Sequence, residues 1–435
     1  MDHVSGLVER HFPSSAGELL IGDISISELA DRYGTPLFIY DRGILEEKWK
    51  LLRDALPHEF SICYSVKANP NQAILRYFLA KGAGLEIASG GEFHQARTAG
   101  CPPQIIVFAG PGKTDAELEL VLEHDIGEIH VESPREAARI AAIAQRRGVR
   151  APVALRVNPC GDAEGGAMRM GGRPAPFGVD EESLDEVLDH LLSYSSIEFR
   201  GVHIFAGTQI LDPEILVTQY RHGIEIARRI ADRLKRPLCT LDFGGGLGIP
   251  YFPHERELDV GQLRLALEGL MQEVRGDSRL TGTKFLVEPG RYLAGEAGIY
   301  VARVTDVKTS RGKRFVVLDG GMNHHLAASG NLGQTIKRNY PVSVVNKLRQ
   351  PPDEMVDVVG PLCTPLDVLA RGVKLPLAEV GDLIGVFQSG AYARSASPLG
   401  FLSHAAPPEV WVDHGCHRLI RRRGEASDYV VDQVP

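Results

Sequence analysis

The stretch FSICYSVKANPNQAIL, Phe60 to Leu75, decides how the rest of the chain is read. Ile62, Tyr64 and Val66 fall on one face of an extended strand, and Ser61, Cys63, Ser65 and Lys67 on the other. Asn69-Pro70 stops that strand, because proline has no amide hydrogen and biases the residue before it away from helix. Ile74, Leu75, Phe78 and Leu79 then recur at helical spacing up to Gly82, a natural C-cap. The unit is strand, turn, helix, with a lysine where the strand gives way.

Working outward, the unit repeats. Short β-like runs recur as SICYSVK, AGLEIAS, QIIVFAG, GEIHVES, PVALRVN, FRGVHIFAG, CTLDFGGG and TKFLVEPGR, eight in all. Helical patterns such as TDAELELVLEHD, PREAARIAAIAQRRG and ILVTQYRHGIEIARRIADRLK lie between most of them. This alternation predicts an α/β fold, a (β/α)8 TIM barrel over residues 41–292. An open doubly wound sheet accounts less well for eight evenly spaced repeats. Beyond Arg291, GIYVARVTDVKTSRGKRFVVLDGG reads as two strands around a Ser-Arg-Gly turn. VSVV, EMVDVVG, DLIGVF and EVWVD are further short strands. Residues 293–435 are expected to form a second, all-β domain of sandwich or barrel-like type. The segment 1–40, which carries most of TPLFIYD, is expected to contribute to it.

Composition narrows the classes. A chain of 435 residues exceeds one ordinary core, and 43% hydrophobic with 24% charged residues is usual for a soluble globular protein. A formal charge of −8 argues against nucleic acid as partner. MDHVSGLVERHF has no basic n-region or apolar h-region, so no signal peptide is expected. No apolar run has the length of a membrane helix. Six scattered cysteines without a CxxC pair fit reduced thiols in a cytoplasm. His324-His325 has no second ligand cluster beside it, and no metal is expected.

Barrel chemistry gathers at the C-terminal ends of strands. Here those ends carry Lys67, Glu86, Gly110, Glu132, Arg156, His203 to Gly207, Gly244 to Gly246, and Glu288 with Arg291. A lone strand-end lysine commonly snorkels to water, but one at a partly desolvated mouth can form a Schiff base. The glycines of DFGGGLGIPY can be a mere turn, or can bring backbone amides close enough to cradle a phosphate. In EPGRY, Glu288 suits a protonated ring nitrogen and Arg291 a phosphate. Schiff-base lysine, phosphate cradle and ring-nitrogen carboxylate together point to pyridoxal 5'-phosphate.

At this point the chain resembles the fold-type III pyridoxal-phosphate decarboxylases, the family of diaminopimelate and ornithine decarboxylases. The likeness rests on YSVKANPN, GLEIASGGEF, FAGPGKTDAEL, ALRVNP, HIFAGTQI, DFGGGLG, VEPGRYLAGEAG, VVGPLCTPLDVLA and FQSGAYA, and spans nearly the whole chain. It implies an amino-acid α-decarboxylase with Lys67 as the Schiff-base lysine and Glu288 on the pyridine nitrogen. It places Gly244, Gly245, Gly246, Arg291, Thr208 and Tyr392 on the phosphate, with Glu86 and Arg156 near the cofactor. Cys363 becomes the residue donated across a homodimer interface to protonate Cα. Thr364 and Asp367, in the same segment, are expected at the substrate.

Departures from the pattern bear on substrate. Phe205 stands where many relatives stack a histidine on the ring, and His203, on the same strand face, can partly compensate. Thr364 replaces the acid that reads a distal amine, and HHLAASGNLGQTIKRNYP replaces the arginine-tyrosine segment after DGGMN. The loop GDAEGGAMRMGGRPAPFGVDEE and the tail GAYARSASPLGFLSH resemble a subgroup acting on carrier-tethered or conjugated amino acids, such as glutamyl groups on acyl carrier proteins. The loop also reads as a glycine-rich lid. HRLIRRRGEA is either a solvated basic face or a surface for an acidic carrier. The alternatives are a meso-diaminopimelate decarboxylase, a racemase of the same fold, a non-catalytic pyridoxal-phosphate-binding protein, and a cofactor-free Schiff-base aldolase.

Overall fold

The computed structural model describes residues 3–12, 14–160, 168–169, 174–205, 207–332, 334 and 337–434. Its eight barrel strands are β1 (Phe60–Ser65), β2 (Gly84–Ile87), β3 (Ile106–Phe108), β4 (Glu128–Val131), β5 (Ala151–Asn158), β6 (Ile197–Ile204), β7 (Thr240–Asp242) and β8 (Lys284–Val287). Each pairs in parallel with the next, and β8 pairs back onto β1 with Phe285 opposite Phe60. Closure leaves no exposed sheet edge. Strands covered by helices outside and by one another inside are buried along almost their whole length, as β2, β3 and β4 are.

Local sequence fixes where three of these strands stop. Ser89-Gly-Gly-Glu92, Thr114-Asp-Ala-Glu117 and Ser133-Pro-Arg-Glu136 repeat one helix-start pattern, and each hydroxyl accepts the backbone N–H of its glutamate. Each cap contributes about 1 kcal/mol. By starting a helix a few residues after β2, β3 and β4, the caps hold Glu86, Gly110 and Glu132 at one end of the barrel.

The chain divides into two compact units: Lys50–Ile249 with Arg256–Tyr292, and Met1–Trp49 with Pro250–Glu255 and Leu293–Pro435. The second is mostly sheet. Leu37–Asp41, from TPLFIYD, lies between Gly298–Ser310, antiparallel, and Glu409–Asp413, parallel. Gly298–Ser310 also pairs with Lys313–Leu318, which continues to Glu354–Val359 and Val368–Leu375. The turn between the first two holds Arg311 and Gly312 at φ +51° and +80°. Val368–Leu375 and Cys416–Arg421 are strands that the sequence reading did not separate out.

The second of these strands changes the reading of HRLIRRRGEA. Arg421 bonds Glu409, Arg422 bonds Asp428, and Arg423 donates to the carbonyls of Tyr33 and Pro36. Arg418 sits 5.9 Å over the Trp411 ring. The run is largely engaged within its own unit. In the glycine-rich loop, residues 161–167 and 170–173 lie outside the described residues. Among the described residues no helix is long and apolar enough to cross a membrane.

Candidate active site

β1 ends at Ser65, and Lys67 stands in the single 3-10 turn Val66–Ala68 that follows, two residues beyond the strand. Its side chain is 47% exposed, and Nζ lies 3.0 Å from both carboxylate oxygens of Glu86. Glu86 is fully buried in β2 and also accepts the Ser65 hydroxyl at 2.5 Å. A carboxylate locked from below points the amine toward the open end of the barrel.

Glu288 follows β8 and is buried beside three other polar groups of the barrel interior. His203 Nε2 lies 3.5 Å from its Oε2, and His130 Nδ1 lies 3.9 Å from its Oε1. The two imidazoles stack, with centroids 4.3 Å apart and planes 22° apart. Burial pushes His203 down to about 4, with Glu288 only partly opposing, so its ring is neutral at pH 7. Burial alone would raise the Glu288 carboxyl, but His203, His130 and the Lys67 ammonium outweigh it and hold Glu288 below the usual carboxylate range. Burial and the charge of Glu288 push Asp242 well above that range. Within this pair the negative charge is favoured on Glu288 and the proton on Asp242.

The glycine turn after β7 is built around Asp242, whose Oδ1 accepts the Gly244 amide at 2.8 Å. Glu288 in turn donates its amide to the Gly244 carbonyl at 2.7 Å. At Gly246, φ is +101° and a Cβ would fall 2.9 Å from the Gly207 carbonyl, so backbone approaches backbone where a side chain would intervene. Gly207–Thr208 sits opposite Met168–Arg169, and Phe205 lies against Gly244. Gly290 brings EPGR against β1, since a Cβ there would lie 2.7 Å from Ala68 Cβ, and Arg291 opens the short helix Arg291–Ala294.

Arg156, near the end of β5, donates to Glu132 at 2.9 Å and lies 5.0 Å over the Phe177 ring. Glu132 also accepts the amides of Gly110 and Gly178 at 2.7 and 3.1 Å. Behind it Lys113, from FAGPGKTDAEL, is buried on the carbonyls of Gly110 and His130 and on Glu136, at 2.7, 2.7 and 2.9 Å. Burial pulls the Lys113 ammonium below its ordinary value, with Glu136 opposing.

Lys67, Glu86, Arg156, His203, Phe205, Thr208, Gly244 to Gly246, Glu288 and Arg291 thus share one unit, while Cys363, Thr364, Asp367 and Tyr392 belong to the other. Cys363 is exposed and Thr364 half-buried. Asp367, expected at the substrate, is instead turned inward and 3% exposed. Its two oxygens accept the amides of Met322 and Leu362 at 2.7 and 2.8 Å, so it braces the loop that carries Cys363. In FQSGAYA, Gln388 and Tyr392 both hold positive φ, +55° and +57°, a conformation uncommon for non-glycine residues.

The sequence reading missed His130. It lies two residues before Glu132, on the same strand face, and the alternation that picked out His203 would have picked it too. His130, His203 and Glu288 bring donor atoms within 4.8 Å of one another. Stacked rings direct their in-plane lone pairs along nearly parallel planes, which cannot converge on one ion at coordination distance. The set suits a cofactor ring better: a neutral imidazole, a buried carboxylate whose Oε1 has no hydrogen-bond partner, an amine, and a backbone cradle free of side chains. These residues fit pyridoxal phosphate.

Comparisons with known proteins agree. The family model "Pyridoxal-dependent decarboxylase, pyridoxal binding domain" matches residues 42–295. The L-glutamyl-[BtrI acyl-carrier protein] decarboxylase of Niallia circulans is 38% identical over 413 residues, covering 94% of this chain and 96% of that one. The diaminopimelate decarboxylase of Aquifex aeolicus is 33% identical over 420 residues, covering 96% and 95%. The crystal structure of diaminopimelate decarboxylase from M. jannaschii in co-complex with L-lysine superposes with a TM-score of 0.89 at 26% identity, over 98% of both chains. A closed barrel with a lysine at its mouth, a buried carboxylate opposite and this likeness along nearly the full length have one reading: the chain belongs to the pyridoxal-dependent decarboxylases.

Proposed function

We propose that this decarboxylase removes the α-carboxylate of an aminoacyl group carried by a carrier protein, and that it works as a homodimer in which each site receives Cys363 from the neighbouring copy. The loop after Cys363 carries the substrate reading. Thr364-Pro365 stands where diaminopimelate and ornithine enzymes place an acid, and the nearby Asp367 is occupied by two backbone amides. A distal ammonium left without its carboxylate loses several kcal/mol of recognition. An acyl group tethered through a thioester has no such charge to satisfy. The name of the Niallia circulans relative, a glutamyl decarboxylase acting on an acyl carrier protein, supports the same class.

Each residue has a defined task. Lys67 supplies the amine that would hold the cofactor aldehyde. Gly244, Gly245, Gly246, Thr208 and Arg291 would hold the phosphate with amides, a hydroxyl and a guanidinium. Glu288 keeps a proton on the ring nitrogen. Bound pyridoxal phosphate supplies an electron sink when the bond from Cα to the carboxylate breaks. Cys363 Sγ then delivers a proton to Cα, replacing the departed CO2. An exposed Cys363 beside Leu366, itself 50% exposed, supports a face covered by a second copy.

Release of CO2 from a substrate panel tests the reading. Glutamyl or another aminoacyl thioester on carrier protein is expected to react, and free diaminopimelate, lysine, ornithine, arginine and glutamate to react poorly. Turnover confined to free diaminopimelate overturns the substrate and leaves the cofactor in place.

A further inference from the structure

TIM barrels are normally filled by layers of branched apolar side chains. This one carries a polar column through its interior. Glu128 and His130 of β4 reach across to Thr240 and Asp242 of β7 and to Arg200 and His203 of β6, strands that do not neighbour β4 in the sheet. Contacts between non-adjacent strands run through the middle of the barrel. Glu128, His130, His203 and Asp242 are all at most 2% exposed, and Glu288 is 6% exposed.

Within the column the parts are arranged in order. Thr240 donates its hydroxyl to Glu128 Oε2 at 2.6 Å, and Arg200 Nε stands 3.7 Å from the same oxygen. Glu128 Oε1 lies 3.2 Å from His130 Nε2, within hydrogen-bond reach. The opposite nitrogen, His130 Nδ1, faces Glu288 Oε1 across 3.9 Å, beyond hydrogen-bond length, and neither atom has a hydrogen-bond partner. His203 covers one face of the His130 ring. Other titratable groups nearby are Asp242, 3.8 Å from His130 Nε2, the Lys67 ammonium acting on Glu288, the Arg156 guanidinium acting on His203, and the Cys63 thiol of β1, which burial and the nearby acids push up.

We propose that His130 is a positioning residue for Glu288, oriented by Glu128, so that a carboxyl–imidazole–carboxylate relay stands behind the cofactor ring. The arrangement follows the logic by which a buried acid orients a catalytic imidazole, with Glu288 in place of a nucleophile. Held by Glu128 at Nε2, the imidazole presents its Nδ1 edge to Glu288 Oε1. The relay rests on the pairing of Glu288 with the ring nitrogen proposed above, and deepens it: it explains how an acid in a dry barrel stays ionised next to Asp242.

Holoenzyme reconstituted with pyridoxal phosphate isotopically labelled at the ring nitrogen tests this, because the nitrogen chemical shift reports its protonation across a pH series. Loss of charge at Glu288 weakens the hold on the ring proton. His130→Asn is therefore expected to lower the pH midpoint for its loss by about one unit and kcat by ~10-fold, with KM changed less than about twofold. Glu128→Gln, which does not touch Glu288, is expected to move the midpoint in the same direction. If both variants keep the wild-type midpoint while Glu288→Gln moves it, the relay is overturned and the pairing stands. A shift in only one of the two breaks the relay as well. If Glu288→Gln also leaves the midpoint in place, the pairing itself fails. Should His130→Asn not fold, Glu128→Gln decides by the same criterion.

Discussion

Lys67, Glu288 and Gly290 are small features of the sequence with large structural consequences. Gly290 lets EPGR press against β1, and Gly290→Ala sets a methyl 2.7 Å from Ala68 Cβ and 3.1 Å from Ser65 Cβ. Overpacking of this kind costs roughly 1–3 kcal/mol. The variant should lose that much in urea unfolding and bind cofactor more weakly, because Glu288 and the turn after Ser65 must part. Unchanged stability and cofactor affinity would show that the two segments separate freely. Lys67 and Glu288 were legible because strand ends of a barrel mark its mouth. His130 lies short of its strand end, so the mouth signal passes it by, although strand alternation puts it on the face of Glu132. Asp367 was misplaced for a related reason: an acid in a motif looks like a ligand reader until its oxygens are found on the amides of Met322 and Leu362.

At the scale of elements, all eight barrel strands coincide with the eight runs read from the sequence, because parallel strands between helices leave short apolar runs bounded by caps and glycines. The sheet unit was read less completely. Cys416–Arg421 has no buried position and carries Arg418 and Arg421, so charge and exposure masked its strand character. Connections between loops are not visible in sequence at all, and the buried Lys113 shows it. That lysine ties the β3 loop to the β4 carbonyl and to Glu136. Lys113→Met leaves buried Glu136 without its countercharge, with the Glu132 amide still on its Oε2, and loss of one member of a buried ion pair typically costs about 3–5 kcal/mol. Adding Glu136→Leu to Lys113→Met should recover most of the loss in chemical unfolding. Two losses that simply add would mean the pair is not coupled.

For the whole molecule, acid should be destabilising well before the carboxylates titrate. Burial holds His203 at about 4, and His324 and His325 at about 3. His325 is fixed as a neutral tautomer, its Nδ1 accepting the Ala328 amide while Nε2 faces Ser389 Oγ at 2.9 Å. These folded values lie below the ordinary histidine value of about 6.5, so the unfolded chain takes up protons first. Stability is full above that value and falls as pH drops toward about 4, by at most ~1.4 kcal/mol per pH unit for each histidine. Thermal unfolding at pH 7 and pH 5 should show a clear drop in Tm at the lower pH, and a flat Tm would contradict neutral burial of these rings. The proposed dimer has its own test. Lys67→Ala and Cys363→Ala proteins, each nearly inactive, should regain about a quarter of wild-type activity when subunits are mixed equally and exchanged, because half the dimers then hold one intact site. No recovery would place Cys363 in its own chain's site or outside it.

The central claim is that the Lys67 amine, held by Glu86, is where this decarboxylase binds its cofactor aldehyde. Reduction of the holoenzyme with borohydride, followed by peptide mass analysis, tests it most directly. A pyridoxyl phosphate adduct is expected on Lys67 and, in Lys67→Ala, loss of both adduct and visible absorbance. An adduct on another lysine, or none on protein that still decarboxylates, would contradict it.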